Sequence, residues 1–588
     1  MKGEQKTNIV LRGIPASPGI AIAEGFYLER SLPSFVKSYV PDYMVEDEVE
    51  KFLKAVEKSK SQLREIRDSL PDRESEHARI LDVHLGLLED SMLIDSTVKL
   101  IRDYRFKAEW ALNRVLTGII NSFHRIEDAY LKERGDDIKQ IAHRIFENLA
   151  GRKVDSISDI TEEVVVVAHD LSPADTAQML SRPVRGFATD VGSRTSHTAI
   201  VARSIGIPAV VGLGNVTEHF YPGARVIVDG YEGTVIISPD ASVEEEYRKK
   251  LVRSEKRRKS LVKFSKLPAV TRDGHRMMVM ANIELPEEAD QALQLGADGI
   301  GLYRTEFIFL NRRSLPDEEE QFEIYRRVVE KFHDSPVVIR TIDLGGDKFA
   351  SHIDLAEEMN PAMGLRAIRF CLREKEIFRT QLRAILRASK FGDVRVLIPM
   401  ISGVQEVRET RKIFEEVKGE LKRDGLPFSE RVELGIMIEV PSAALISDIL
   451  ARMVDFFSIG TNDLIQYAIA IDRVNEYVTY LYEPLHPALL RMIRTIIDAA
   501  KKAGIPVGMC GEMAGEPLYI PVLLGLGLDE LSMNASSIPV VKSLIRKSSR
   551  AELENFVEEL FSYETGDEVL RRVKSLFEEL YPEEMNDK

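Results

Sequence analysis

The sequence predicts a multidomain α/β protein: an α/β domain interrupted by a helical bundle, then a C-terminal TIM (β/α)8 barrel. Three observations predict it. Strand-like segments at the start, IVLRGIPASPG and IAIAEGFYL, find their counterpart only in EEVVVVAHDL at 162–171. The stretch between is rich in Glu, Lys, Leu and Ala, with apolar residues at helical spacing. After Lys266, eight short apolar runs follow one another, most of them separated by helical periodicity, which suits eight βα units.

Length and composition agree. A chain of 588 residues has room for several domains at roughly 100–200 residues each. Its 80 Lys and Arg against 95 Asp and Glu give a net charge of −15, and no long basic run offsets it. That argues against nucleic-acid binding and against docking on an anionic membrane. Two cysteines, Cys371 and Cys510, do not make a disulfide framework and suit a reducing compartment. The opening MKGEQKTNIVLRGIPASPG lacks the apolar core of a signal peptide, and no run reaches the roughly 20 apolar residues of a membrane span. A cytoplasmic protein is expected.

In chain order, residues 1–32 and 151–241 form the α/β domain. Residues 33–150 form the helical insert, expected as about four helices from segments such as VEKFLKAVEKSKSQLREI and ALNRVLTGIINSFHRI. The charged run SVEEEYRKKLVRSEKRRKSLVKFSK, 242–266, reads as a solvated helix linking two compact regions. The barrel takes 267–588. Its expected strands lie at 277–283, 299–307, 337–343, 394–400, 434–440, 456–464, 506–513 and 530–536.

Active groups of such a barrel sit at the C-terminal ends of its strands. Those ends carry Arg304, Arg340, Glu439, Asn462, Asp463, Cys510 and Glu512. Guanidinium forks match phosphate and carboxylate oxygens. Glu439 and Asp463 are hard oxygen ligands suited to Mg2+. Together they suit a small molecule bearing both phosphate and carboxylate. Each residue also has a plainer reading. Arg304 pairs with Glu306, Glu439 caps a turn before Val440-Pro441, Asp463 caps the helix of TNDL, and Cys510 is an inert buried thiol. Cys371, in AIRFCLREKEI, reads as core.

The segment GFATDVGSRTSHTAIVARSIGIPAVVG, 186–212, carries a second centre. A strand-like run enters VGSRTS, and a helix follows with Ile200, Val201 and Ile205. His197 falls near that helix start, where Ser193, Thr195 and Ser196 are candidate caps and Arg194 adds charge. A helix N-terminus stabilises a phosphoryl group, and a neutral imidazole nitrogen attacks phosphorus. The plainer reading is a histidine hydrogen-bonded beside a cap.

These residues resemble the Enzyme I family of the bacterial phosphoenolpyruvate-dependent sugar phosphotransferase system. The resemblance runs through GIPASPGIAIA, HDLSPADTAQM, GSRTSHTAIVARSIGIPAVVG, GADGIGLYRTEF, RTIDLGGDK, NPAMGLRAIR, LRAILRAS, PMISGVQEV, FFSIGTNDLIQYAIAIDR and GMCGEMAG. It implies that His197 is phosphorylated on Nε2, and that Arg304, Arg340 and Arg473 bind phosphoenolpyruvate, with Asn462 touching it. It implies that Glu439 and Asp463 hold Mg2+, and that Cys510 protonates the enolate to give pyruvate. Arg366 is expected near the site. The insert would dock the histidine-containing phosphocarrier protein, the barrel would dimerise, and the His197 domain would swivel on the 242–266 helix. A dikinase or synthase sharing these parts would need a nucleotide-binding domain, for which the chain has no Gly-rich loop. A regulatory paralogue would usually carry an added N-terminal sensor domain, which is not expected here.

Overall fold

The computed structural model describes residues 8–28, 37–68, 76–124, 129–150, 157, 160–171, 173–179, 182–192, 202, 206–309, 314–345, 360–472, 478 and 481–585. The chain forms two compact units, 1–256 and 257–588. The division falls inside one helix, Ala241–Ser265, which matches the charged run.

The first unit is built on a sheet of eight strands: β1 (Ile9–Arg12), β2 (Ile14–Ser17), β3 (Ile20–Leu28), β4 (Val164–Ala168), β5 (Val184–Thr189), β6 (Ala209–Val211), β7 (Arg225–Asp229) and β8 (Thr234–Ile237). Their order is β1-β8-β7-β3-β4-β5-β6-β2. The run β3-β4-β5-β6 is parallel and the remaining pairs are antiparallel. β4 shows why its sequence is a run of valines. Val165 and Val167 enter one core cluster and Val166 and Ala168 another, so both faces of the strand are covered.

The insert has five described helices, Val45–Asp68, Glu76–Leu87, Ser91–Tyr104, Ala108–His124 and Ala129–Ala150, where about four were expected. One break that periodicity conceals is at Asp90. Its carboxylate accepts the Met92 N–H at 2.8 Å and starts a new helix. The bundle has its own core, including Phe52, Leu63, Leu112, Ile141 and Phe146.

The second unit is a closed barrel of eight parallel strands: β9 (Met278–Ile283), β10 (Ile300–Arg304), β11 (Val337–Arg340), β12 (Val394–Ile398), β13 (Glu433–Ile438), β14 (Phe457–Ile459), β15 (Val507–Met509) and β16 (Glu530–Asn534). All eight expected strands are present. Side chains alternate between the outer core, which includes Tyr303, Ile339 and Ile438, and an inner cluster of Leu302, Val338, Leu397, Met437, Phe456 and Cys510.

Gly296, in the turn between Glu288–Gln294 and β10, sits at φ +84°, and a Cβ there would meet the Ser265 carbonyl oxygen at 1.8 Å. Gly296→Ala is therefore expected to cost about 3 kcal/mol or more, read as a lower unfolding midpoint in urea.

Candidate active site

Strand alternation converts the inner cluster into a polar rim. Two residues beyond inward Leu302 comes Arg304, beyond Val338 comes Arg340, and beyond Met437 comes Glu439. Each lies at or just past the C-terminal end of β10, β11 or β13. Asn462 and Asp463 open the helix Thr461–Ala468 after β14, and Cys510 follows β15 directly. Gly460 makes the approach possible, because a Cβ there would lie 2.7 Å from Glu439 Oε2.

The plainer readings change in detail. Arg304 Nη1 donates to Glu284 Oε1 at 2.6 Å, not to Glu306. Glu306 instead accepts Arg340 Nη2 at 2.9 Å and the Asp343 N–H at 3.0 Å. Glu439 caps no local turn: Oε1 accepts the N–H of Met400, beyond the neighbouring strand, at 2.6 Å. Met400 holds φ +58°, a left-handed backbone rare for a side chain of its size. The helix of Asp463 has Gly460 at its cap position, so Asp463 is not the cap. Asn462 Oδ1 accepts the Glu512 N–H at 3.0 Å.

Sequence reasoning missed Asp343. Asp343, Glu439 and Asp463 bring oxygens within 4.8 Å of one another, a grouping that suits a cation. Arg366 clamps Asp343 through Nε at 3.0 Å and Nη2 at 2.8 and 2.9 Å. Its Nη2 also reaches Asp463 Oδ2 at 3.3 Å, and its Nη1 donates to the Tyr467 hydroxyl at 3.3 Å. Arg340 Nη1 lies 3.3 Å from Asp343. The only sequence signal was the place of Asp343, three residues past Arg340 at the same rim.

Charge is distributed unevenly. Burial works against ionised Asp343, but Arg340 and Arg366 outweigh it and hold the carboxyl below its usual range. Burial, with Asp463 and Asp343 nearby, pushes Glu439 up to about 8. Burial also pushes the Cys510 thiol up to about 11, against a lowering hydrogen bond from Ser458. The Ser458 hydroxyl donates to Sγ at 3.2 Å, and the thiol faces the Ile459 carbonyl at 3.7 Å. Cys510 therefore keeps its proton at neutral pH. Cys371 is buried in the outer core, as expected.

His197 and Arg473 lie outside the described residues. The entry to the His197 segment is described. β5 ends at Thr189, and buried Asp190 accepts the Thr217 N–H at 3.2 Å, the Thr217 hydroxyl, and contacts His169 Nδ1 at 3.1 Å. Among the described residues, no helix is long and apolar enough to cross a membrane.

An α/β domain with an inserted bundle and a barrel whose rim gathers arginines, three carboxylates and a protonated thiol define the class of phosphoenolpyruvate-utilising enzymes. Three family profiles agree: the N-terminal domain of PEP-utilising enzymes matches 12–134, their mobile domain 160–233 and their PEP-binding domain 258–550. The chain belongs to the phosphoenolpyruvate-protein phosphotransferase family. The enzyme of that name from Priestia megaterium is 46% identical over 96% of this chain and 99% of its own. That from Bacillus subtilis is 45% identical over the same shares. A solution structure of an Enzyme I protein is 44% identical, covering 42% of this chain and 99% of its own, with a TM-score of 0.37.

Proposed function

We propose that the chain moves the phosphoryl group of phosphoenolpyruvate to its own His197 and then to the histidine-containing phosphocarrier protein, releasing pyruvate. This is the first step of the sugar phosphotransferase system. The observation that carries the reading is the barrel rim, where anion-binding arginines, a carboxylate trio and a protonated thiol meet. It stands in a chain that also carries the TSH segment.

Arg304, Arg340 and Arg473 bind the substrate's phosphate and carboxylate, with Asn462 beside them. Arg366, clamped to Asp343 and Asp463, joins that set. Glu439 and Asp463 would hold Mg2+. The donor set fits: hard carboxylate oxygens gathered at a rim, the chemistry of a cation that also takes substrate oxygens. When bound, the metal neutralises phosphate charge and orients the substrate. His197 Nε2 attacks phosphorus in line with the bridging oxygen. The P–O bond breaks, its electron pair stays on the enolate, and Cys510 delivers its proton to the methylene carbon to give the methyl of pyruvate. The thiolate left behind faces the charge of Arg340 until water reprotonates it.

One imidazole cannot face both donor and carrier, so the domain bearing it swivels, with 242–266 as the hinge. In this reading residues 1–32 and 151–241 carry the phosphohistidine, 33–150 dock the carrier, and 267–588 bind phosphoenolpyruvate and form a homodimer. The protein works in the cytoplasm.

Cys510→Ser in a coupled pyruvate assay tests the scheme. The parent should release one pyruvate per carrier phosphorylated, with no loss from thiol ionisation between about pH 7 and 9, because burial pushes the Cys510 thiol up to about 11. The serine variant should be slower by about 100-fold or more, the range for loss of a general acid. Pyruvate released in excess of phospho-His197 and phosphorylated carrier together would refute the reading.

A further inference from the structure

Asp343 links the two halves of the rim most closely: it meets both arginines, while Asp463 also reaches Arg366, at 3.3 Å. One half is the guanidinium pair. Arg366 reaches it three times at 2.8–3.0 Å, and Arg340 once at 3.3 Å. The other half is the carboxylate trio, in which its oxygen lies within 4.8 Å of those of Glu439 and Asp463. A carboxylate offers two oxygens and about four lone-pair sites. Asp343 cannot saturate two arginines and also bind a divalent cation at full strength. The N–H groups it occupies are also the ones a phosphate would take.

We infer that Asp343 is a positioning residue that couples the cation to the anionic substrate. Turned toward the cation, its carboxylate releases Arg340 and Arg366 to substrate oxygens. Turned toward the arginines, it competes with the substrate for them. The inference rests on reading the rim as a phosphoenolpyruvate–metal site.

The surroundings suit a side chain that turns on a fixed backbone. The Asp343 N–H is tied to Glu306 Oε1 at 3.0 Å, so the main chain is anchored. The same Glu306 carboxylate keeps Arg340 through Nη2 at 2.9 Å. Tyr467 keeps Arg366, and its hydroxyl in turn donates to the Ala362 carbonyl at 2.5 Å. Both arginines therefore retain a partner when Asp343 turns. The coupling is reciprocal, so metal tightens anion and anion tightens metal by the same factor.

The test uses the full chain with His197→Ala, which stops turnover, and isothermal titration of Mn2+ alone, phosphoenolpyruvate alone, and phosphoenolpyruvate at saturating Mn2+. Adding Asp343→Asn should tighten metal-free phosphoenolpyruvate about tenfold, weaken Mn2+ about tenfold, and reduce the coupling factor about tenfold or more. A coupling factor equal to the parent's, or metal-free phosphoenolpyruvate bound no tighter, overturns the inference and leaves the site reading standing. A parent that binds neither Mn2+ nor phosphoenolpyruvate overturns both. If Asp343→Asn does not fold, Arg366→Lys carries the test, because it keeps the charge and loses the fork. It should bind Mn2+ about threefold more tightly, and unchanged Mn2+ affinity overturns the inference.

Discussion

Incubated with labelled phosphoenolpyruvate and Mg2+, the protein should take up label that is acid-labile and base-stable, and the His197→Ala variant should take up none. The expected loss is complete because no water or neighbouring side chain can replace the imidazole as carrier of the phosphoryl group. Lability to acid follows from the P–N bond, since a protonated ring nitrogen is a good leaving group. Label on the alanine variant at the parent's level would place the acceptor elsewhere, and the whole scheme would fall with it.

The second large effect separates the two half-reactions. Glu439→Ala should lose loading from phosphoenolpyruvate by about 100-fold or more, the scale for removing a main electrostatic stabiliser. Transfer from preloaded phospho-His197 to the carrier should be unchanged. Glu439 is 2% exposed and held by the Met400 N–H, so the effect of its removal is expected at the barrel rim. Preloading is achieved backwards, from phosphorylated carrier. Equal loss of both half-reactions would refute a donor site distinct from the carrier's.

Much of this was legible in the sequence because the physics was local or repetitive. The eight barrel strands show as buried apolar runs, and their ends locate the rim residues by alternation alone: Leu302 then Arg304, Val338 then Arg340, Met437 then Glu439. Partner choice was not legible. Arg304 and Glu306 stand two apart, which invites a pair. Yet alternation and the 3-10 turn Glu306–Ile308 send Glu306 across to Arg340, and Arg304 back to Glu284 on the preceding strand's loop. Asp343 was lost for a related reason. It stands in RTIDLGGDK without being singled out, and the arginine that contacts it, Arg366, lies 23 residues away in sequence. The extra insert helix was hidden because its break at Asp90 interrupts the chain without interrupting the apolar spacing.

The long interruption of the α/β sheet has a consequence for how the chain is made. β3 ends at Leu28, and its parallel neighbour β4 begins at Val164. At ribosomal rates of about 5–20 residues per second, β3 emerges on the order of ten seconds before β4, and β1 and β2 wait longer still for β8 and β6. The bundle between them closes mostly on neighbours in sequence and buries a core of its own, so it is able to fold within that wait. The nascent chain thus holds three unpaired strands on a finished helical body. The order of synthesis makes those strands the segment in greatest need of protection from early association.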